Sequence, residues 1–351
     1  MIATLFPGSL DIVGDVHGEF HALQELLSRL GYSVHGEHPQ GRRLVFVGDL
    51  CDRGPHSPQV IRLVQELVSR DLAQCVLGNH ELNLLCQSPK EGNGWYFDRN
   101  HDHHEGKFQD AVSLADTAER DVVRQFLATL PLGLERDDLR ITHAAWHGPS
   151  IDTTRGISQP VAELYRRLDA ETRAKAQATG LTERADIEAR QWALRLKDPE
   201  AVVPLLENIG RMDEALQMNN FLRVITSGVE RLAQVPFYSS GKWRMVDRVA
   251  WWDDYQDDIS VIVGHYWRWP SRALQQKYSR GERDLFADAE PNTWMGARQN
   301  VFCTDFSVGA RFKERACGAF TQFETRLAAV RWPERELVYE NGERSTISAR
   351  Q

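Results

Sequence analysis

No apolar run in this 351-residue sequence approaches the ~18 residues that a membrane-spanning helix requires. The opening stretch, Met1 to Pro7, has neither a basic segment nor a long apolar core, so no secretory signal is expected. Cysteine is scarce. Its five residues are irregularly spaced, with no Cys-x-x-Cys pair, which argues against a disulfide framework and a thiolate zinc site. A reducing cytoplasm is the expected setting. Positive charge is in deficit: 42 Lys and Arg stand against 50 Asp and Glu, a formal net charge of −8. Such a chain has no global attraction for nucleic acid or an anionic membrane, so neither is expected as a stable partner. An anionic substrate would have to be drawn in locally, and bound cations can do that on an acidic protein. Internal repeats and low-complexity segments are also missing. What remains, at 42% hydrophobic and 26% charged residues, is the composition of a globular protein with one large domain or two ordinary ones.

Against this background three blocks stand out in the first quarter of the chain: Gly14-Asp15-Val16-His17-Gly18, Gly48-Asp49-Leu50-Cys51-Asp52-Arg53-Gly54 and Gly78-Asn79-His80-Glu81. Each follows a short apolar run that reads as a buried strand: Leu10–Val13, Arg43–Val47 and Gln74–Leu77. Amphipathic helices are predicted over Glu19–Leu30 and Ser57–Arg70. Strand, polar loop and helix recur in that order, the pattern of an α/β fold with ligands at the carboxyl ends of its strands. Pro89–Lys107 reads as a long loop and Ala118–Leu130 as a helix. Further strands are expected at Leu139–Thr142, Val261–Val263 and Asn300–Thr304, ending at His143, Gly264-His265 and Asp305 respectively. Leu327–Val330 and Glu336–Tyr339 look like a closing hairpin. From Val161 to about Ala233 the chain is rich in Ala, Leu, Arg and Glu and reads as helical.

The residue types in these blocks suit a pair of adjacent divalent metals. Asp15 and His17, two apart at a strand end, can face one ion, and Asp49 has two oxygens with which to bridge two. Asn79 offers an amide oxygen, while His143 and His265 can complete a second shell. A mixed oxygen and nitrogen set suits manganese, iron or zinc better than calcium. Two such ions can bind a phosphate and turn a water into a nucleophile. His80 is placed to protonate a leaving oxygen, Asp52 to fix its tautomer, and Arg53 to bind phosphate oxygens. Taken singly, a Gly-Asp after a strand is usually a turn, and Asp52-Arg53 could be a surface ion pair worth little. The joint pattern sets these residues apart.

The three blocks resemble the signature of the calcineurin-like metallophosphoesterases, Gly-Asp-x-His-Gly, Gly-Asp-x-x-Asp-Arg-Gly and Gly-Asn-His-Glu. The second block is similar to the phosphoprotein phosphatase branch, which includes bacterial diadenosine tetraphosphate hydrolases and the phosphatase module of bacterial RNA-repair enzymes. The resemblance implies an α/β fold, a β-sandwich flanked by helices, here one domain over 1–351 with a helical insertion at 155–235 as a lid or substrate wall. It implies Asp15, His17 and Asp49 on one metal, and Asp49, Asn79, His143 and His265 on the other, manganese being the first expectation. It also implies His80 as proton donor, Asp52 as its partner, and Arg53 and Asn79 as substrate contacts. The expected substrate is a phosphorylated small molecule or nucleotide, with a phosphoprotein as the rival and a non-catalytic metal-binding scaffold as a remote third. Three departures are visible: His143-Ala144-Ala145 where relatives carry His-Ala-Gly or His-Gly-Gly, Tyr266 where nucleotide hydrolases often have Thr, and a longer stretch between His143 and His265. A second phosphate-binding arginine is expected there, with Arg223, Arg244 and Arg248 as candidates.

Two other features call for a reading. Of ten tryptophans, Trp243, Trp251, Trp252, Trp267 and Trp269 cluster around His265. They suit either an aromatic wall for a nucleobase or a core of large rings, with at least one ring partly exposed. The run His101-Asp102-His103-His104-Glu105 suits either an extra metal or a solvated loop.

Overall fold

The computed structural model describes residues 1–97, 108, 111–114, 116–239, 241–278 and 284–349. Among these residues two sheets face one another. One has the strand order β13 (Arg344–Thr346), β12 (Glu336–Tyr339), β11 (Ala328–Trp332), β2 (Leu10–Val13), β3 (Arg43–Phe46), β4 (Ala73–Cys75). The other runs β1 (Ile2–Thr4), β5 (Gly133–Glu135), β6 (Leu139–Thr142), β9 (Ser260–Val263), β10 (Val301–Cys303). Side chains alternate across each strand, and that alternation builds the sandwich. Leu10, Ile12, Val45 and Val47 point to the inner layer, where they meet Leu134, Leu139, Ile141, Ile262 and Phe302 of the opposite sheet. Val13, Leu44 and Phe46 point outward to the helices α1 (Phe20–Leu30) and α2 (Ser57–Ser69), whose apolar stripes Leu23, Leu26, Leu27 and Val60, Ile61, Val64 cover them. The fold is thus a β-sandwich flanked by helices, as expected.

The parallel core of each sheet matters most for function. Strands β2, β3 and β4 run parallel, as do β6, β9 and β10, so their carboxyl ends gather at one edge of each sheet. The short α3 (Asn79–Leu85) starts directly at the third motif, so Asn79 opens a helix rather than extending a loop. After α4 (Thr117–Leu127) and α5 (Gly148–Thr154) comes the insertion: α6 (Val161–Ala178), α7 (Leu181–Trp192), α8 (Glu207–Met218) and α9 (Phe221–Ser227). Here the sequence reading needs correction. The helical stretch ends at Ser227, and a two-stranded ribbon follows, β7 (Glu230–Ser239) paired with β8 (Lys242–Arg248). The ribbon was missed because β7 is interrupted by a register shift between Leu232 and Phe237, which breaks the two-residue alternation. Strands β1 and β5 were also missed; at three residues each they carry too little pattern to read. Between β9 and the closing strands lie α10 (Arg272–Tyr278) and α11 (Arg311–Ala316). The His101–Glu105 run lies outside the described residues.

Candidate metal centre and its histidine–aspartate pair

Every residue singled out in the three motifs sits at the shared strand-end edge. Asp15 and His17 follow β2; Asp49, Asp52 and Arg53 follow β3; Asn79 and His80 form the first turn of α3; His143 follows β6 and His265 follows β9. The two edges are stitched together. His143 Nδ1 lies 2.8 Å from the Val47 carbonyl of the opposite sheet, and the His265 amide donates to the Asp15 carboxylate at 3.1 Å. Two glycines permit this approach. A Cβ on Gly264 would lie 1.9 Å from Asp15 Oδ1, and one on Gly78 would lie 2.3 Å from Asp49 Oδ1. The backbone is bent to suit: His17, Asp49, Asp52, Arg53 and His265 all have φ between 46° and 72°. Left-handed conformations in side-chain-bearing residues are costly and gather at functional sites. The buried Glu81 holds the bend, its carboxylate accepting from the amides of Asp49, Leu50 and Gly78 at 2.8, 2.9 and 3.1 Å.

The atoms turned inward are lone-pair donors. Asp49 Oδ2 lies 3.7 Å from His17 Nε2, 3.8 Å from His80 Nε2 and 3.3 Å from His143 Nε2. Asn79 Oδ1 lies 3.2 Å from His143 Nε2 and 2.9 Å from His265 Nδ1, while Asp15 Oδ2 is 3.8 Å from His17 Nε2. Arginine can only donate, and that fixes two tautomers. Arg53 reaches His17 Nε2 at 2.9 Å and His80 Nε2 at 3.1 Å, so both nitrogens accept. The proton of His17 is then on Nδ1, facing the Cys51 carbonyl at 3.1 Å. That of His80 is on Nδ1, facing Asp52 Oδ2 at 2.5 Å.

Electrostatics separates the carboxylates. Burial pushes Asp15 well above the ordinary carboxylate range, and the neighbouring Asp305 pushes it further. Burial would raise Asp49 as well, but the imidazoles of His143, His80 and His17 hold it well below its usual value. Burial disfavours a charged His143, yet Asp49 and Asp15 raise it to about 10. His17 is held well down by burial and Arg53, and His265 by burial and Arg248. The buried carboxylates of Asp49 and Asp15 thus favour positive charge inside this acidic cage. A divalent cation supplies positive charge there once the imidazole nitrogens are deprotonated, and the mixed set of carboxylate, amide and imidazole donors fits transition metals. Ligand atoms of Asp49, His143 and His265 lie within 4.8 Å of one another, as do those of His17, Asp49 and His80. In the second set His80 differs from the other two in that its Nδ1 is paired with the Asp52 carboxylate.

Several neighbours were not singled out by the sequence reading. Trp95 Nε1 donates to Asp52 Oδ1 at 2.6 Å. Asp305 lies under Asp15 and accepts from the amides of Trp267 and Ser307, each at 2.8 Å. Its position at the end of β10 was the available signal. Among the candidate arginines, Arg223 is held by Asp169 at 2.6 Å and lies over Tyr165, and Arg244 donates to the Ser239 carbonyl. Arg248 is the one whose charge acts on His265. Of the aromatic cluster, Trp251, Trp252 and Trp269 are buried core, while Trp243 and Trp267 keep partial exposure. The stretch after His265 is no strand, and Arg268 within it is buried. Trp267 lies at the site, 4.6 Å beneath the Arg53 guanidinium.

Comparison with known proteins agrees with this geometry. Residues 9–168 match the family model described as calcineurin-like phosphoesterase. A protein of Halalkalibacterium halodurans named bis(5'-nucleosyl)-tetraphosphatase PrpE (asymmetrical) is 55% identical over 73 residues, 20% of this chain and 30% of that one. Its namesake in Oceanobacillus iheyensis is 50% identical over 74 residues, again 20% and 30%. The chain thus spans under a third of the length of these relatives. Among solved structures, a cold-active protein-tyrosine phosphatase of a psychrophile Shewanella species aligns over 99% of this chain and 82% of its own at 14% identity, with a TM-score of 0.49. The stretch that matches the calcineurin-like phosphoesterase model, residues 9–168, holds all three motifs and His143.

Proposed function

We propose that this protein is a phosphoric ester hydrolase that works with two divalent metal ions on a phosphomonoester or nucleotide polyphosphate. The observation that carries the reading is the convergence of Asp15, His17, Asp49, Asn79, His143 and His265 lone pairs beside a His80–Asp52 pair. Asp15, His17 and Asp49 would hold one ion, and Asp49, Asn79, His143 and His265 the other. Manganese is the first choice, with iron or zinc as alternatives. Bound there, the ions would supply a nucleophilic water and neutralise charge at phosphorus.

The chain's own residues do the rest. Arg53, half-buried between His17 and His80, turns its planar donor set to the non-bridging phosphate oxygens. Arg248 approaches from the His265 side as the second arginine. Asn79 adds a side-chain contact to the phosphate. With Arg53 turned to the phosphate, His80 Nε2 is free to take up a second proton, and the imidazolium, held at Nδ1 by Asp52, passes that proton to the leaving oxygen. Trp267 offers a partly exposed ring beside Arg53 on which a base or aryl leaving group can rest. The named activity of the PrpE relatives, asymmetrical cleavage of bis(5'-nucleosyl) tetraphosphates, supports a nucleotide over a protein substrate. The five cysteines are free, in keeping with a reducing, cytoplasmic setting.

The test is a metal-loaded activity panel of p-nitrophenyl phosphate, bis(p-nitrophenyl) phosphate, dinucleoside polyphosphates and a phosphopeptide. Turnover of the polyphosphates well above that of the phosphopeptide is expected. A preference for the phosphopeptide would replace the nucleotide reading with the protein-phosphatase one. Absence of turnover on all four with both ions bound would end the enzyme reading.

A further inference from the structure

Asp52 is fully buried, and both of its carboxylate oxygens are engaged. Oδ2 takes the His80 imidazole and Oδ1 takes the Trp95 indole N–H. Trp95 is 2% exposed and comes from the segment after α3, more than forty positions from Asp52 in sequence. That segment is docked on the same turn at a second point, where the Gly92 carbonyl accepts from the Arg53 amide at 3.3 Å. It is braced internally, with the Tyr96 amide donating to the Asn93 carbonyl at 3.0 Å and Leu114 to Trp95 at 2.9 Å. The Asp52 amide is tied to Ser57 Oγ at 2.9 Å. The carboxylate therefore has one orientation, and the indole sets it.

We propose that Trp95 is a positioning residue for His80, acting through Asp52. The inference rests on the phosphoesterase reading for its kinetic consequence, but not for its geometry. A carboxylate bound on one oxygen only can rotate about its Cβ–Cγ bond. Bound on both, it presents Oδ2 to His80 Nδ1–H and aims Nε2 at the substrate side, where the imidazolium form carries the second proton that is delivered to the leaving oxygen. Loss of the indole donor also leaves a buried charged oxygen without a partner, which favours rearrangement of the pair. The Trp95 indole N–H donates to Asp52 and to no proposed metal ligand, so its effect should appear where proton delivery limits the rate.

The test is Trp95→Phe, which keeps an aromatic ring and removes the N–H. Metal-loaded enzyme is assayed on phenyl phosphate, whose leaving group needs a proton, and on p-nitrophenyl phosphate, whose leaving group does not. A fall in kcat of about tenfold on the first and less than about twofold on the second is expected, with KM and metal content unchanged. In a His80→Ala background the same substitution should cause no further loss. Equal losses on both substrates, or a full additional loss in the double variant, would overturn the proposal. Should Trp95→Phe not fold, site-specific 3-benzothienylalanine at position 95 keeps the shape and lacks the donor. If the wild-type enzyme hydrolyses neither ester, the phosphomonoester part of the reading fails by itself. The positioning claim is then read from ¹⁵N NMR of His80, whose Nδ1–H tautomer should predominate in the wild type and lose population in the variant. An unchanged tautomer would refute it.

Discussion

The strand-end edge of the sandwich and the insertion between α6 and β8 follow opposite rules. At the edge, buried side chains are polar, backbones adopt left-handed conformations, and glycines are placed where a Cβ would strike a carboxylate. Such a site works against stability, and the apolar layer between the sheets holds it in place. The insertion instead carries a small satellite core of Val203, Leu206 and Met245, with Leu194, Val202 and Val235 at 90%, 88% and 72% exposure. Apolar side chains are exposed where chemistry makes no demand, and polar ones are buried where it does. The two regions meet through the packing of α6 and α9 on α3 and through the Ile225 carbonyl at α9, which accepts from the amides of Ala144 and Ala145, next to His143. That contact accounts for the tolerated Ala144-Ala145 turn, since both amides donate and both side chains pack inside.

The largest effects should come from the edge. Asp49→Asn removes the carboxylate that three imidazoles share, and both ions should be lost along with nearly all turnover. Metal analysis of the loaded variant checks this; two ions per chain would remove Asp49 from the bridging position. His80→Ala should keep the metals and lower kcat by ~100-fold or more on a poor leaving group. Arg248→Ala should raise KM by about tenfold, the equivalent of ~1.4 kcal/mol, with kcat changed less. An unaffected KM would return the second phosphate contact to Arg223 or Arg244. Metal loading itself should stabilise the fold. At a concentration 100 times the dissociation constant the gain is ~2.7 kcal/mol, read as a rise in melting temperature that a chelator reverses. The sign follows from the crowding of Asp15, Asp49 and Asp305, which a divalent charge relieves.

The same contrast explains what was legible. Ligand chemistry demands particular residues immediately after particular strands, so Asp15, His17, Asp49, Asn79 and His80 could be read from local spacing, and the strand pattern led on to His143 and His265. The layers were legible for a related reason, since alternation along β2 and β3 gives each strand one face for the opposite sheet and one for α1 and α2. Trp95 left no such trace. Nothing in its neighbourhood announces a contact with Asp52, because that contact depends on where a loop lands. The β7–β8 ribbon was hidden in the same way. The ribbon is shaped by packing against α8, and its irregular pairing removes the periodicity that would betray a strand. Most of the tryptophan cluster proved to be core because Trp251 and Trp252 lie in a 3₁₀ turn whose two rings both face inward.

The insertion gives the sharper test of independence. Gly210 lies where α8 crosses the ribbon, and a Cβ there would sit 2.3 Å from Leu232 Cδ1 and 2.9 Å from the Met245 carbonyl. Gly210→Ala gains helix propensity of about 1 kcal/mol but must open this crossing, so a net loss of ~1–3 kcal/mol is expected. Among the described residues the backbone bonds from this region to the His143 turn come from α9 and not from α8, so turnover on a small aryl phosphate should stay within about twofold. A collapse of kcat at intact metal content would show that the two regions are one cooperative unit. The smallest effect belongs to the tip. Leu194→Ser removes an apolar side chain that is 90% exposed, and stability should stay within ~0.5 kcal/mol of the parent. Denaturant unfolding of both proteins checks this. A loss of several kcal/mol would mean that the tip is covered in solution, and the contrast between a buried polar edge and an exposed apolar insertion would have to be redrawn.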